Sequence, residues 1–129
     1  MKIKINIFLV LAIYLFFVIG CSSAVSDPTD STIAYLNALA QKDKTKISAL
    51  SCKQWEENAY MEIDALLSVG AQLEGLSCSV NSLEQDNADV VCTGNLNLTY
   101  DNEVRSIDLS KRTFSLIKED GVWRICSYQ

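Results

Sequence analysis

The sequence predicts an α+β fold in which N-terminal helices pack on one face of an antiparallel sheet. Apolar residues recur with a period of about 3.6 between residues 31 and 67, and with a period of two from residue 73 onward. Short turn sequences separate the alternating segments, so neighbouring strands are expected to form hairpins. Helices followed by a run of strands are typical of a helical layer on one side of a sheet, and residues 31–129 suffice for one such domain.

The first helix is predicted over residues 31–42. Asp30 or Ser31 can cap its N-terminus, because a short polar side chain accepts a hydrogen bond from the first unpaired backbone N–H groups. A turn and a short second helix, around residues 47–50, complete this region.

The third helix is predicted to start at a capping box, in which Ser51 is followed three residues later by Gln54, and to run to residue 67. One continuous apolar face contains Cys52, Trp55, Ala59, Ile63 and Leu66. The carboxylates of this helix lie mostly off that face and are expected on the solvated surface: Glu56, Glu57, Glu62 and Asp64.

The first strand changes phase at Gly75. Its apolar residues occupy an odd position at Leu73 and even positions at Leu76, Cys78 and Val80, which is the pattern of a β-bulge or a bend. Turns at residues 84–87 and 101–102 then separate strands over residues 90–100 and 104–109. A final hairpin joins residues 112–118 and 122–128.

The turn of the final hairpin has two possible lengths. A two-residue loop at Asp120-Gly121 puts Trp123 and Ile125 on the face of Phe114 and Leu116. A three-residue loop that includes Glu119 puts Val122, Cys126 and Tyr128 there instead. We favour the longer loop because Cys126 must reach the helical layer to form a disulfide there. The longer loop leaves Ile117, Trp123 and Ile125 on the opposite face, where a chain segment covers them or a partner binds.

Four cysteines follow Cys21, and their number predicts two disulfides. For two residues that face each other across the 84–87 turn, the residue numbers add up to about 171. The numbers of Cys78 and Cys92 add up to 170, so these two cysteines are expected to pair if the strand register shifts by one residue. Cys52 and Cys126 would then join the third helix to the last strand. Four buried free thiols are the alternative. A zinc site is disfavoured because the chain has no C-x-x-C spacing and no histidine.

An apolar segment of 13 residues, 7–19, follows Lys2 and Lys4 and ends at Gly20-Cys21. This arrangement resembles the lipobox of bacterial lipoproteins. The resemblance implies a signal peptide over residues 1–20, cleavage between Gly20 and Cys21, lipidation of Cys21 and a polar tether to residue 30. The protein would then face the extracytoplasmic side of the cell membrane or the outer membrane, held by acyl chains.

Two other readings of this segment stay open: an ordinary signal peptide with a nearby cysteine, and an uncleaved anchor helix. No aspartate follows Cys21. In double-membraned bacteria that absence resembles the pattern of outer-membrane lipoproteins.

Composition excludes several classes of function. Residues 1–20 contain two of the 11 basic residues. The rest of the chain therefore has 9 basic and 16 acidic residues, a net charge of −7. Such acidity disfavours binding to nucleic acid. The absence of histidine removes the commonest general base and the commonest metal ligand. No cofactor, metal or catalytic residue is therefore predicted.

The order of a helix, a short helix, a long helix and a curved antiparallel sheet that ends in Asp-Gly-Val-Trp-Arg-Ile, residues 120–125, resembles the NTF2-like (cystatin-like) superfamily. The resemblance covers most of residues 30–129. It implies a curved sheet that curls around the helices into a cone, whose open end holds a ligand pocket, an active site or neither.

Three functions follow as hypotheses. The first is a non-catalytic lipoprotein that binds a small apolar ligand or an envelope partner. The second is an isomerase or hydrolase with a carboxylate or tyrosine at the cone mouth; a desolvated Asp or Glu in a pocket would favour it, and a cone filled by Trp55, Ile63 and Phe114 would disfavour it. The third is an accessory module that docks through an exposed patch at Trp123 and Ile125.

Overall fold

The computed structural model describes residues 27–129, in which three helices pack against an uncurled five-stranded antiparallel sheet. The helices are α1 (Pro28–Gln41), α2 (Lys44–Leu50) and α3 (Glu56–Leu66). The strands are β1 (Gly70–Glu84), β2 (Asn87–Tyr100), β3 (Glu103–Asp108), β4 (Thr113–Glu119) and β5 (Val122–Tyr128), with a short 3₁₀ helix (Leu109–Lys111) before β4. The predicted α+β class is confirmed. The cone is not formed, because the sheet bends at bulges but does not close around the helices.

The long strand β2 organises the sheet, whose order is β1-β2-β4-β5. One edge of β2 pairs with β1 along nearly its whole length. The other edge is divided, because residues 95–100 pair with β3 and residues 87–91 pair with β4. The helices cover one face, called here the inner face, and the opposite face is the outer face. None of the helices within residues 27–129 combines the length and the hydropathy needed to span a bilayer.

Helix α1 begins at Pro28, earlier than predicted. Asp27 is the N-cap, and its Oδ1 accepts a hydrogen bond of 2.7 Å from the Thr29 backbone N–H. Proline suits the first helical position because its φ is already helical and the missing N–H would have no partner there. The last residues assigned to the polar tether are therefore helical, and the Asp-Pro pair was the signal for this start.

The predicted capping box at Ser51 is wrong. Ser51 Oγ donates to the Ile47 carbonyl oxygen at 2.7 Å, and α3 begins only at Glu56, with no side-chain cap. Ser51 instead forms a parallel bridge with Ile125, and the Cys52 N–H donates to the Ile125 carbonyl at 2.8 Å. The segment thus covers part of the β5 edge, whose backbone groups would otherwise lack partners. The predicted apolar face of α3 is confirmed, since its Ala59, Ile63 and Leu66 are buried.

The predicted phase change at Gly75 is confirmed. Gly75 has a φ of 64°, and the β1–β2 register shifts between Glu74 and Ser77. Gly94 lies opposite, with a φ of 103°, and a Cβ there would come within 2.6 Å of the Glu74 and Gly75 carbonyl oxygens. Both glycines therefore serve the bulge, one by its left-handed backbone and the other by allowing close approach.

The disulfide Cys78–Cys92 forms as predicted from register. The two residues are direct partners, with Cα atoms 4.0 Å apart. A second register shift, between Val80 and Ser82, supplies the one-residue adjustment that the turn at residues 84–87 requires. The other disulfide, Cys52–Cys126, joins the segment before α3 to β5.

The favoured three-residue loop in the last hairpin is wrong. Glu119 pairs with Val122, so the loop is the two-residue Asp120-Gly121, and both loop residues have positive φ. Trp123 and Ile125 therefore point into the core, where they are 4% and 0% exposed. A β-bulge, and not a longer loop, allows Cys126 to reach the helical layer. Leu116 pairs with Ile125 and Ser115 with Ser127, which leaves Cys126 as the extra residue, able to reach Cys52. No apolar docking patch exists at Trp123 and Ile125.

Aromatic and aliphatic side chains fill most of the space between the helices and the sheet. Tyr35, Ile63 and Phe114 are fully buried, and burial of each large apolar side chain contributes roughly 1.5–3 kcal/mol. Trp55 is half-buried and packs edge-on against Tyr128, with ring centroids 5.4 Å apart. A polar cluster interrupts this apolar packing where α3 faces β5.

Candidate functional site

The polar cluster is centred on Glu62, which lies on α3 next to the fully buried Ile63. Glu62 Oε2 accepts a hydrogen bond of 3.3 Å from the Tyr35 hydroxyl, and Glu62 Oε1 accepts one from the Tyr128 hydroxyl. The prediction that Glu62 belongs to the solvated surface is therefore wrong. The carboxylate faces the sheet and is held between α1 and β5.

Further contacts extend the cluster across the helical layer and the sheet. Trp55 Nε1 donates to the Tyr35 hydroxyl at 3.0 Å, so tryptophan, tyrosine and glutamate form a chain of donors and acceptors. On the sheet side, the Arg112 guanidinium lies over the Tyr128 ring, 4.7 Å from its centroid. The rings of Phe114 and Tyr128 are 5.3 Å apart.

Burial dominates the electrostatics of the cluster. It raises the pKa of Glu62 above its ordinary value, although the hydrogen bonds from Tyr128 and Tyr35 and the charge of Arg112 act in the opposite direction. Burial, together with the nearby Glu62 charge, also raises the pKa values of both tyrosines. Tyr35 and Tyr128 therefore remain protonated donors at neutral pH, while the Glu62 carboxyl group holds its proton more tightly than an exposed glutamate does.

A small cavity of about 160 Å³ opens beside Glu62. Its polar walls are Glu62, Arg112 and Tyr128, and the other lining residues are apolar: Leu39, Ala65, Leu66, Leu96, Leu98 and Ile107. A second cavity, of about 270 Å³, shares Leu98 with the first and is lined by Val69, Tyr100, Glu103 and Arg105. The two cavities adjoin at Leu98 on the inner face and are together called here the inner groove. An apolar concavity with a few convergent polar groups is the usual form of a small-molecule site.

Two kinds of chemistry are compatible with this arrangement. The apolar walls can hold a small hydrophobic molecule whose polar group meets Glu62 or Arg112. Alternatively, a carboxyl group with a raised pKa can transfer a proton to or from a bound molecule.

The residues singled out from the sequence lie elsewhere. Gly20 and Cys21 are outside the described residues. Cys52, Cys78, Cys92 and Cys126 form the two predicted disulfides. Within residues 27–129, Cys52, Glu119 and Cys126 form the one group close enough to hold a metal ion, but both sulfurs are in a disulfide and offer no thiolate. Two disulfides are typical of an oxidising, extracytoplasmic compartment.

Glu62 was missed although the spacing contains a signal for it. It follows Trp55 by seven residues, follows Ala59 by three and precedes Leu66 by four, so it lies at the margin of the apolar face of α3. A carboxylate at such a position is expected to be partly desolvated once the helix packs on a sheet.

Solved structures with this architecture come from several bacteria. An NTF2-like protein with a cystatin-like fold from Novosphingobium aromaticivorans superposes with a TM-score of 0.57, at 12% identity, over 98% of this chain and 89% of that one. An NTF2-like protein of unknown function in nutrient uptake from Rhodospirillum rubrum gives a TM-score of 0.57, at 16% identity, over 79% and 94%. The fold is NTF2-like.

A SEC-C motif-containing protein from Rhodopseudomonas palustris is similarly close, with a TM-score of 0.58 at 12% identity, over 82% of this chain and 80% of that one. No protein-family model matches the sequence, and no curated protein does. At these identities the NTF2-like similarity establishes the architecture, and it is compatible with both ligand binding and catalysis.

Proposed function

We propose that this NTF2-like protein is a lipid-anchored extracytoplasmic module that binds a small apolar ligand in the inner groove without catalysis. The observation that carries the ligand proposal is the groove itself, an apolar depression with Glu62, Arg112 and Tyr128 converging at one end. The burial of Trp123 and Ile125 removes the exposed apolar patch through which an accessory module was expected to dock. A small ligand therefore has better support than a protein partner.

The anchor rests on Gly20-Cys21 and the apolar segment before it. The disulfides of the folded domain support an extracytoplasmic location, which is the location that a lipid anchor implies. Residues 22–27 reach at most about 20 Å when extended, so the domain would remain near the bilayer surface. The test is the intact mass of the protein extracted from membranes of its host. Acyl chains on Cys21 are expected, together with their loss when Cys21→Ala is expressed. An unmodified Cys21 in the membrane-extracted protein would refute the anchor.

Ligand binding is tested by blocking the groove from one wall. Ala65→Trp places a large side chain over the cavity from the exposed surface of α3. Met61→Trp, on the same helix and 57% exposed, serves as the matched control because Met61 does not line the groove. We expect a fluorescent fatty-acid probe to bind the wild-type chain and the control, and to bind the Ala65→Trp variant at least about tenfold more weakly. Equal binding to all three proteins would place the site elsewhere.

The burial of Glu62 favours a second candidate, an isomerase or hydrolase in the same groove. Burial raises the pKa of its carboxyl group, which is the direction of shift that favours a general acid or base. Hydrolysis of aryl ester probes and proton exchange beside the carbonyl of ketone probes in D₂O would report the two activities. Loss of either activity by roughly 10²-fold or more in Glu62→Gln, with probe binding retained, would support catalysis. Wild-type protein without either activity would leave the binding module as the preferred function.

A further inference from the structure

A row of small polar side chains crosses the outer face of the sheet at right angles to the strands. Its members are direct partners in register on four successive strands: Ser82 with Asp89, Asp89 with Ser115, and Ser115 with Ser127. Ser82 Oγ donates to Asp89 Oδ2 at 3.0 Å, and Ser115 Oγ donates to Asp89 Oδ1 at 2.7 Å. The carboxylate is therefore fixed from both sides, and Asp89 stays partly exposed.

This row forms the floor of a groove. β1 carries a bulge between Val80 and Ser82, and β5 carries one at Cys126, so the two flanking strands bend where the row crosses them. The groove has a volume of about 510 Å³ and extends to the segment before α3 through Gln54. A neighbouring depression of about 440 Å³ shares Gln54, Ile117 and Cys126 and continues past Lys53. The two are called here the outer groove.

The lining of the outer groove differs from that of the inner groove. It offers hydroxyl groups, the amides of Asn87 and Gln54, and carboxylates, so donors and acceptors are mixed. Ile117, 36% exposed, adds a patch of aliphatic surface. Among the described residues that line it, Lys53 is the only cation, and it lies at one end. A phosphate group would lack cationic partners there, and an acyl chain would lack a continuous apolar wall.

We infer that the outer groove binds a glycan chain. Each sugar hydroxyl donates one hydrogen bond and accepts others, which matches a floor of serine hydroxyls, side-chain amides and a fixed carboxylate. The C–H face of a sugar ring is apolar and can pack on Ile117. The Asp89 carboxylate is held in place before the ligand arrives, so less ordering is needed on binding. This site lies on the opposite face of the sheet from the inner groove and does not depend on the function proposed for that groove.

The test uses the full chain with its native N-terminus and two soluble hexasaccharides, one of β-1,4-linked N-acetylglucosamine and one of β-1,4-linked glucose. Calorimetric titration measures binding to the wild type, to Ser127→Trp, which fills the groove, and to Asp89→Asn, which removes the charge but keeps the shape. Thr99→Trp is the control, because Thr99 is exposed on the same outer face and lines neither groove.

We expect saturable binding of at least one hexasaccharide to the wild type and to Thr99→Trp. Binding should be lost in Ser127→Trp and should weaken roughly tenfold or more in Asp89→Asn, because a charge-assisted acceptor is removed. Thermal unfolding of each variant checks that it folds. The inference is overturned if neither sugar binds the wild type, or if Thr99→Trp loses binding as completely as Ser127→Trp.

Discussion

The Tyr128 hydroxyl donates a hydrogen bond to Glu62 Oε1, which links the last strand of the sheet to the third helix. The two residues are 66 positions apart in the chain, and both are partly buried. The bond therefore contributes to the docking of the helical layer as well as to the chemistry of the inner groove.

Removal of this hydroxyl should destabilise the protein. Tyr128→Phe keeps the ring contacts with Trp55 and Phe114 but leaves one oxygen of a half-buried carboxylate without its donor. We expect a loss of about 1–3 kcal/mol in the free energy of unfolding, measured by urea denaturation at pH 7. Tyr100→Phe, 60% exposed, should change the free energy by less than about 0.5 kcal/mol. Equal effects in the two variants would mean that the Tyr128 hydroxyl has no special role.

The raised pKa of Glu62 predicts a pH-dependent stability. The folded state holds the Glu62 proton more tightly than the unfolded state, whose pKa is near the ordinary value of 4.5. The associated stabilisation is fully present below that value and is lost as the pH rises through the higher folded-state pKa. Glu62→Gln should therefore gain stability relative to the wild type over this range, measured from urea unfolding at a series of pH values. Glu57→Gln, exposed on the same helix, should follow the wild-type profile.

Two glycines with positive φ should respond very differently to alanine. Gly94→Ala places a Cβ within 2.6 Å of two backbone carbonyl oxygens, which cannot move without breaking the β1–β2 register. In Gly121→Ala the new Cβ contacts no atom within 4 Å, so the only cost is the backbone conformation, a φ of 77°. We expect a loss of about 1–2 kcal/mol for Gly121→Ala and a clearly larger one, about 3 kcal/mol or more, for Gly94→Ala. Chemical denaturation of both variants measures the difference, and similar losses would contradict the close contact.

The two disulfides should contribute unequally to stability. Cys78 and Cys92 are 14 residues apart, whereas Cys52 and Cys126 are 74 apart. A longer closed loop restricts the unfolded chain more, which gives about 3 kcal/mol for the first bond and about 4 kcal/mol for the second. The double variants Cys78→Ser with Cys92→Ser, and Cys52→Ser with Cys126→Ser, test this by urea denaturation. A larger loss for the hairpin pair would show that loop length does not set the order.

The success of the sequence in predicting the cysteine pairing has a physical basis. A short turn fixes the register of a hairpin, so the positions of Cys78 and Cys92 follow from counting outward from residues 84–87, with one bulge between. The prediction for the final hairpin was wrong for the opposite reason. The bulge at Cys126 contains no glycine and leaves no pattern in the sequence, so the side of the sheet that Trp123 occupies could not be read from alternation alone.

The candidate site was harder to predict than the fold. The apolar spacing of α3 identified its buried face, but it could not show how far the neighbouring strand would reach over the margin at Glu62. That depends on Tyr128, which the same bulge turns towards the helices. The outer groove is also a product of register, because Ser82, Asp89, Ser115 and Ser127 become neighbours only when four strands align.

The disulfides are nested rather than sequential, since Cys78 and Cys92 lie between Cys52 and Cys126 in the chain. When the chain emerges N-terminus first, Cys52 and Cys78 are the first of these four cysteines to be exposed, and oxidation in order of appearance would join those two. The β1–β2 hairpin prevents this when it forms before the bond does, because its register places Cys92 opposite Cys78 and keeps Cys52 free for its later partner. Correct pairing of the cysteines therefore depends on the rate of hairpin formation relative to the rate of thiol oxidation. Thiol–disulfide exchange can correct a wrong pair.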